Sequence, residues 1–249
     1  PDFGVVDWFV EDVLGGGDAL LRRMVASSPM ATELDGGVSV VPAYGKDTGD
    51  YLPKLGRCYL ERGSKGPEPW TDRLRRLITA LEGQYKPDVV LLDSRTGLHD
   101  TSAALVLALG SDTLLFAAES RQTWAAYRFL FEHLRSHPDV RSFRDRFFLV
   151  ASLVPETHRE SYLDAFTQNA WDLFRETLYD HVPAGRDPTD AFTFDLNDPD
   201  APHQPRPIFW NRGVQTFDPA SAVDAQLVDA AYGELLTWFD QLLLQEVSP

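Results

Sequence analysis

The 249 residues carry a formal net charge of −15, with 43% hydrophobic and 24% charged side chains, a composition that fits a globular chain able to bury a full core. Charge of that sign argues against non-specific binding to nucleic acid or to an anionic membrane surface through the body of the protein. A single cysteine, Cys58, excludes an intramolecular disulfide and a cysteine-based metal site, and the apolar runs fall short of the roughly 20 residues of a membrane span; both suit a cytoplasmic protein.

From the N-terminus, Val6, Phe9, Val10 and Val13 recur at helical spacing and predict a helix over 5–14 that stops at Gly15-Gly16-Gly17. A second helix is expected from Asp18, an N-capping residue, to about Ala26. Residues 37–42 read as a strand entering a Gly- and Lys-rich loop over 43–66, in which Tyr51, Leu52 and Leu55 suggest a short helix. Leu74, Leu77, Ile78 and Leu81 then place a helix over 70–82, with Thr71 as its cap.

The next segment, Lys86-Pro-Asp-Val-Val-Leu-Leu-Asp-Ser-Arg-Thr-Gly97, carries the most information. Its short apolar run predicts a buried strand of a parallel sheet over 88–93. Asp93 then stands at the carboxyl end of a strand, where open α/β sheets bind ligands. In phosphate-handling proteins such an aspartate holds Mg²⁺, and a glycine four positions on lets a backbone N–H approach a terminal phosphate. The competing assignment for Asp93 is a cap on the next turn or a pair with Arg95. Arg95 is either a surface loop residue or a cation facing phosphate oxygens. Ser94 and Thr96 either donate hydroxyl hydrogen bonds to phosphate or cap a helix starting near Asp100.

Downstream, the pattern predicts a helix over 100–109, a strand over 113–117 and an amphipathic helix over 120–136 with Trp124, Tyr127, Phe131 and Leu134 on one face. A strand over 147–153 and a helix from Glu156 to about Tyr179 follow. Residues 181–206 are polar and proline-rich without a period, which reads as a long loop or insertion. A short strand over 207–210 and a helix over 221–246 complete the order. Strands alternating with helices imply βαβ units. The fold class is therefore α/β, doubly wound, with a mostly parallel sheet flanked by helices. No linker is evident, and the chain reads as one domain over 1–249.

Other chemistry has less support. No G-x-x-x-x-G-K-[ST] phosphate loop occurs; Gly45-Lys46-Asp47-Thr48 lacks the leading glycine and strand. G-x-S-x-G is absent as well. His133 and His137 stand four apart at a helix end, where histidines satisfy terminal carbonyls. Trp210-Asn211-Arg212, after the last strand, either contacts a nucleobase or packs the sheet edge.

Across Asp88–Gly97 and the elements after it, the chain resembles the ParA/MinD-type P-loop ATPases, in particular the deviant members with an Asp-Ser-Arg-Thr-Gly loop, here Asp93 to Gly97. Asp112–Ala118 resembles that family's next core strand, Phe147–Leu153 the one after, and Pro207–Trp210 its last. The likeness covers roughly residues 37 to 245, and its specific part is the five-residue loop with its strand. It implies a P-loop NTPase-like, three-layer fold, Mg²⁺-dependent ATP binding and slow hydrolysis. It also implies a nucleotide-bridged homodimer whose state regulates a protein partner. Asp93 would match the metal-linked aspartate and Gly97 the switch glycine; from the residues themselves, Arg95 is the candidate to face the reacting phosphate and Thr96 and Asn211 the candidates for the nucleotide. Two departures stand out: the family's phosphate loop would lie upstream of Pro1 or be lost in a pseudo-enzyme, and Ser-Arg-Thr replaces the common Thr-Pro-Pro. The alternative function is a non-catalytic interaction module on the same fold, using the Trp124/Tyr127/Phe131 face or the loop 181–206.

Overall fold

A computed structural model describes residues 1–31, 36–60, 66–94, 109–183, 185, 189–216 and 224–247. The chain divides into two units between Ser94 and residue 95.

The first unit opens with α1 (Val5–Asp12) and α2 (Gly17–Met24). The unpaired N–H groups that begin any helix find loop carbonyls here: Val5 donates to Pro42 (2.9 Å) and Val6 to Ala43 (3.1 Å). That contact brings backbone against backbone, and a Cβ on Gly4 would lie 2.4 Å from the main chain of Tyr44. A side chain has no room there, which explains the glycine. α2 starts behind Gly16, so Asp18 falls in its first turn and is not its cap. The strand expected over 37–42 is reduced to β2 (Ser39–Val40), antiparallel to β1 (Ala26–Ser27).

α3 (Tyr51–Cys58) is the expected short helix. α4 (Trp70–Tyr85) follows Pro69, not a Thr71 cap, and ends on Lys86 in the left-handed region at φ 47°. Trp8, Phe9, Leu21, Met24, Leu74 and Leu77 form the interior, with the rings of Phe9 and Trp70 stacked at 5.7 Å.

Two buried carboxylates lock this unit. Asp7 accepts from Thr48 Oγ1 (2.6 Å), Lys54 Nζ (2.6 Å) and the Gly4 amide (2.9 Å). Asp12 is held by Arg73 Nε (3.0 Å) and by both terminal nitrogens of Arg76. Arg73 is fully enclosed and also donates to the carbonyls of Phe9 and Leu60. A buried ion pair of this kind holds only because every donor has a partner.

The strand expected over 88–93 is not formed. Residues 86–94 belong to no helix or strand, and Val89, Val90, Leu91 and Leu92 are all exposed, Leu91 at 76%. An apolar run encodes the tendency to be extended and buried, but a strand also needs a neighbour for its N–H and C=O groups. Among the described residues none pairs with it.

The second unit is built on a parallel sheet in the order β3 (Thr113–Ala117), β4 (Phe147–Val154), β5 (Arg206–Phe209). Thr113 stands opposite Phe147 and Ala117 opposite Ala151; Val150 stands opposite Arg206. α5 (Arg121–Arg135) and α6 (Arg159–Thr177) bury Phe131, Leu134, Phe166, Ala170 and Phe174 against Phe147, Leu149 and Ala151. Side chains alternate along a strand, so Phe148 faces the other way, where its ring meets Trp238 of α7 (Ala225–Val247) at 4.9 Å. Helices thus cover both faces, as in α/β folds with parallel sheets.

Residues 180–205 contain no helix or strand among those described, in keeping with the expected loop. It is nonetheless well anchored. Phe192 and Phe194 pack around Tyr179, Trp171 Nε1 donates to the Phe194 carbonyl (3.0 Å), and His203 is buried. No described helix is long and apolar enough to cross a membrane.

Candidate functional site

Three parallel strands end on one edge of the second unit, and the side chains there come from three sequence regions. β3 ends at Ala117, and Ser120 then caps α5, its hydroxyl accepting from the Thr123 amide at 3.1 Å. Between them lies Glu119. Its carboxylate is gripped by Trp124 Nε1–H and Asn169 Nδ2–H, both at 2.9 Å. Its amide donates to Tyr162 Oη (2.7 Å), and the Tyr162 hydroxyl in turn donates to the Ser152 carbonyl of β4 (3.2 Å). Tyr162 therefore ties the carboxyl ends of β3 and β4 together. Tyr127 closes the back of the same edge by donating to the Phe116 carbonyl (2.7 Å), and burial pushes its phenol up to about 12.

The end of β4 is irregular. The pairing with β5 shifts between Ala151 and Val154, and Leu153 takes φ 58° with its side chain 61% exposed. A leucine in the left-handed region is strained, and the extra residue is the bulge that turns the chain out of the sheet. His158, at φ 60°, precedes α6. At the end of β5 the Trp210 amide donates to the Val154 carbonyl (2.8 Å), so the ladder continues one residue beyond the strand. Asn211 Oδ1 accepts from the Gly213 amide (2.9 Å) and fixes the turn that follows. Arg159 covers the Phe209 ring at 4.6 Å.

Of the residues singled out from sequence, Asn211 belongs to this edge, two strands from Glu119 and so roughly 10 Å away by strand spacing. Asp93 is exposed in the unpaired segment at the end of the first unit. Arg95, Thr96 and Gly97 lie outside the described residues, as does the helix expected over 100–109 except for its last residue, which is helical.

No family model, curated protein or solved structure matches this chain.

The edge is a hydrogen-bonding surface. Among the described residues, no three His, Cys, Asp or Glu side chains gather closely enough to hold a metal ion. Glu119 has both oxygens engaged, which makes it a brace for the loop between β3 and α5. The Trp124/Tyr127/Phe131 face is taken up by packing: Phe131 is fully buried, and Trp124 and Tyr127 pack against the same core. His137 Nδ1 accepts from the Asp139 amide (3.2 Å) and its ring meets Phe143, so it shapes the turn after α5.

Sequence reading missed Glu119, Tyr162 and Asn169. Ser120, with Thr123 three positions on, marks the start of α5 and was the only local signal nearby. Glu119 and Asn169 are fifty positions apart, and no pattern on either segment announces the pairing.

Proposed function

We propose that this chain carries the switch-bearing part of a Mg-ATP-dependent regulatory ATPase of the ParA/MinD-like, P-loop NTPase kind, acting as a homodimer on a protein partner in the cytoplasm. The observation that supports it best is the parallel β3–β4–β5 order with a helix after each strand. This order puts Asn211 and the Glu119 brace at the carboxyl edge, where α/β sheets receive ligands. The Asp93-to-Gly97 sequence supplies the second half of the argument through its resemblance to a switch loop.

In this reading Asp93 holds Mg²⁺ through water, a role one carboxylate can fill because Mg²⁺ keeps several waters and takes phosphate oxygens as its other ligands. The Gly97 amide and the Thr96 hydroxyl donate to the terminal phosphate, and Arg95 neutralises charge that develops there. Asn211 contacts the nucleotide. Phosphoryl transfer leaves little covalent work to the protein, so these residues act by position and charge. The chain has no phosphate loop of its own, and this reading takes the cradle from residues outside 1–249. An interaction module is the weaker reading, since the aromatic face of α5 and the aromatics of the 180–205 segment are packed inside the second unit.

Steady-state ATPase assays on the natural full-length protein test this. Asp93→Ala should lower Mg²⁺-dependent turnover at least about tenfold, roughly 1.4 kcal/mol of transition-state stabilisation, with unchanged melting. Equal turnover would return Asp93 to the surface. Calorimetry of residues 1–249 alone should give ATP affinity no tighter than about 1 mM, and micromolar binding would refute an external cradle.

A further inference from the structure

We propose that an arginine-lined cavity at the amino end of the parallel sheet binds a small phosphate-bearing anion. The cavity, about 420 Å³, lies where α5 and α6 end and where the turns Val140–Ser142 and Arg144–Arg146 lead into β4. It is at the opposite end of the strands from the edge described above, and it does not depend on the ATPase reading.

In a chain of net charge −15, four guanidinium groups line this one cavity: Arg135, Arg141, Arg144 and Arg175. Two carboxylates, Glu176 and Asp180, share it. Asp180 is neutralised in place by a two-pronged pair with Arg144 (2.8 and 2.7 Å), which holds its carboxyl down at about 2. Glu176 is paired with Arg128, which stands outside the lining. Arg175 turns back to Asp172 (2.9 Å) and stacks on Trp171 at 4.3 Å. These pairs cancel, and Arg135 and Arg141 remain.

Helix capping explains part of the cluster. Arg135 donates to the Glu176 carbonyl (3.1 Å) and Arg144 to the Leu178 carbonyl (3.2 Å), both at the carboxyl end of α6. The ends of α5 and α6 contribute about half a negative charge each, leaving a positive excess of about one charge. Arg141 is the residue that capping does not explain. It is exposed, and its charge also acts on Asp180, a carboxylate that Arg144 already holds with two hydrogen bonds. A guanidinium presents a planar fork of donors that matches phosphate oxygens in pairs. The volume falls within the range of small-molecule pockets and exceeds what phosphate alone fills, and the half-buried Val140 gives an organic body an apolar contact.

Pyrophosphate is the probe. Calorimetry of the chain in about 20 mM salt should show binding with Kd of about 1 mM or tighter, weakened severalfold at about 0.15 M salt as the charges are screened. Arg141→Glu should weaken binding at least tenfold with an unchanged far-ultraviolet spectrum. Arg135→Gln, which retains a donor for the Glu176 carbonyl, should weaken it severalfold, and the exposed first-unit control Arg22→Glu should leave it unchanged. No binding at about 10 mM pyrophosphate, or equal affinity in Arg141→Glu, overturns the site. A phosphoserine peptide that binds more tightly than pyrophosphate overturns the assignment to a small molecule.

Discussion

His203 shows how one buried side chain couples this fold to pH. The Tyr179 hydroxyl donates to its Nδ1 at 2.5 Å, and its Nε2–H donates to the Leu196 carbonyl at 3.1 Å. Burial holds the pKa of the ring below the ordinary value; the hydrogen bond to the Leu196 carbonyl and the charge of Asp198 oppose that shift, and Arg206 adds to it. The unfolded chain therefore takes up a proton near pH 6.5 that the folded chain refuses. By linkage the stabilisation is complete above about pH 6.5 and is lost as pH falls below it. Melting temperature should drop between pH 7.5 and 5.5, and His203→Gln should flatten part of that drop. An identical slope in the variant would show that other groups set the acid limit.

Helices that need only local information were legible in the sequence, and so were the strands over 113–117, 147–153 and 207–210; which apolar run would go without a sheet neighbour was not. α5 is an example of the first. Its apolar stripe lies within one segment, and the helix expected over 120–136 spans Arg121–Arg135, with Ser120 and Ser136 as its caps. Removing the cap in Ser120→Ala should cost about 1 kcal/mol, seen as a Tm lowered by about 2–4 °C; no change would mean solvent replaces the hydroxyl without loss. The segment 88–93 is an example of the second. Its residues are those of a buried strand, yet four apolar side chains stand exposed because nothing described pairs with their backbone. β4 has the same kind of sequence and forms a full strand, since β3 and β5 flank it.

For the molecule as a whole, the net charge of −15 dominates long-range behaviour. At about 0.15 M salt, where screening acts over about 8 Å, the chain should not be retained on heparin, a polyanion; retention would reveal a basic surface stronger than the arginine cavity. The sequence by itself determined this charge and most helices, together with the α/β alternation, because each follows from composition or from periodicity within a single segment. It also marked Asp93 and Asn211 as candidates from residue type and strand order. Only the tertiary structure decided that Glu119 is a brace, that Leu153 is strained at a bulge, that the aromatic face of α5 is interior, and that four arginines share one cavity. Each of these depends on which distant segments meet. That is set by the packing of elements against one another and leaves no pattern in any one of them.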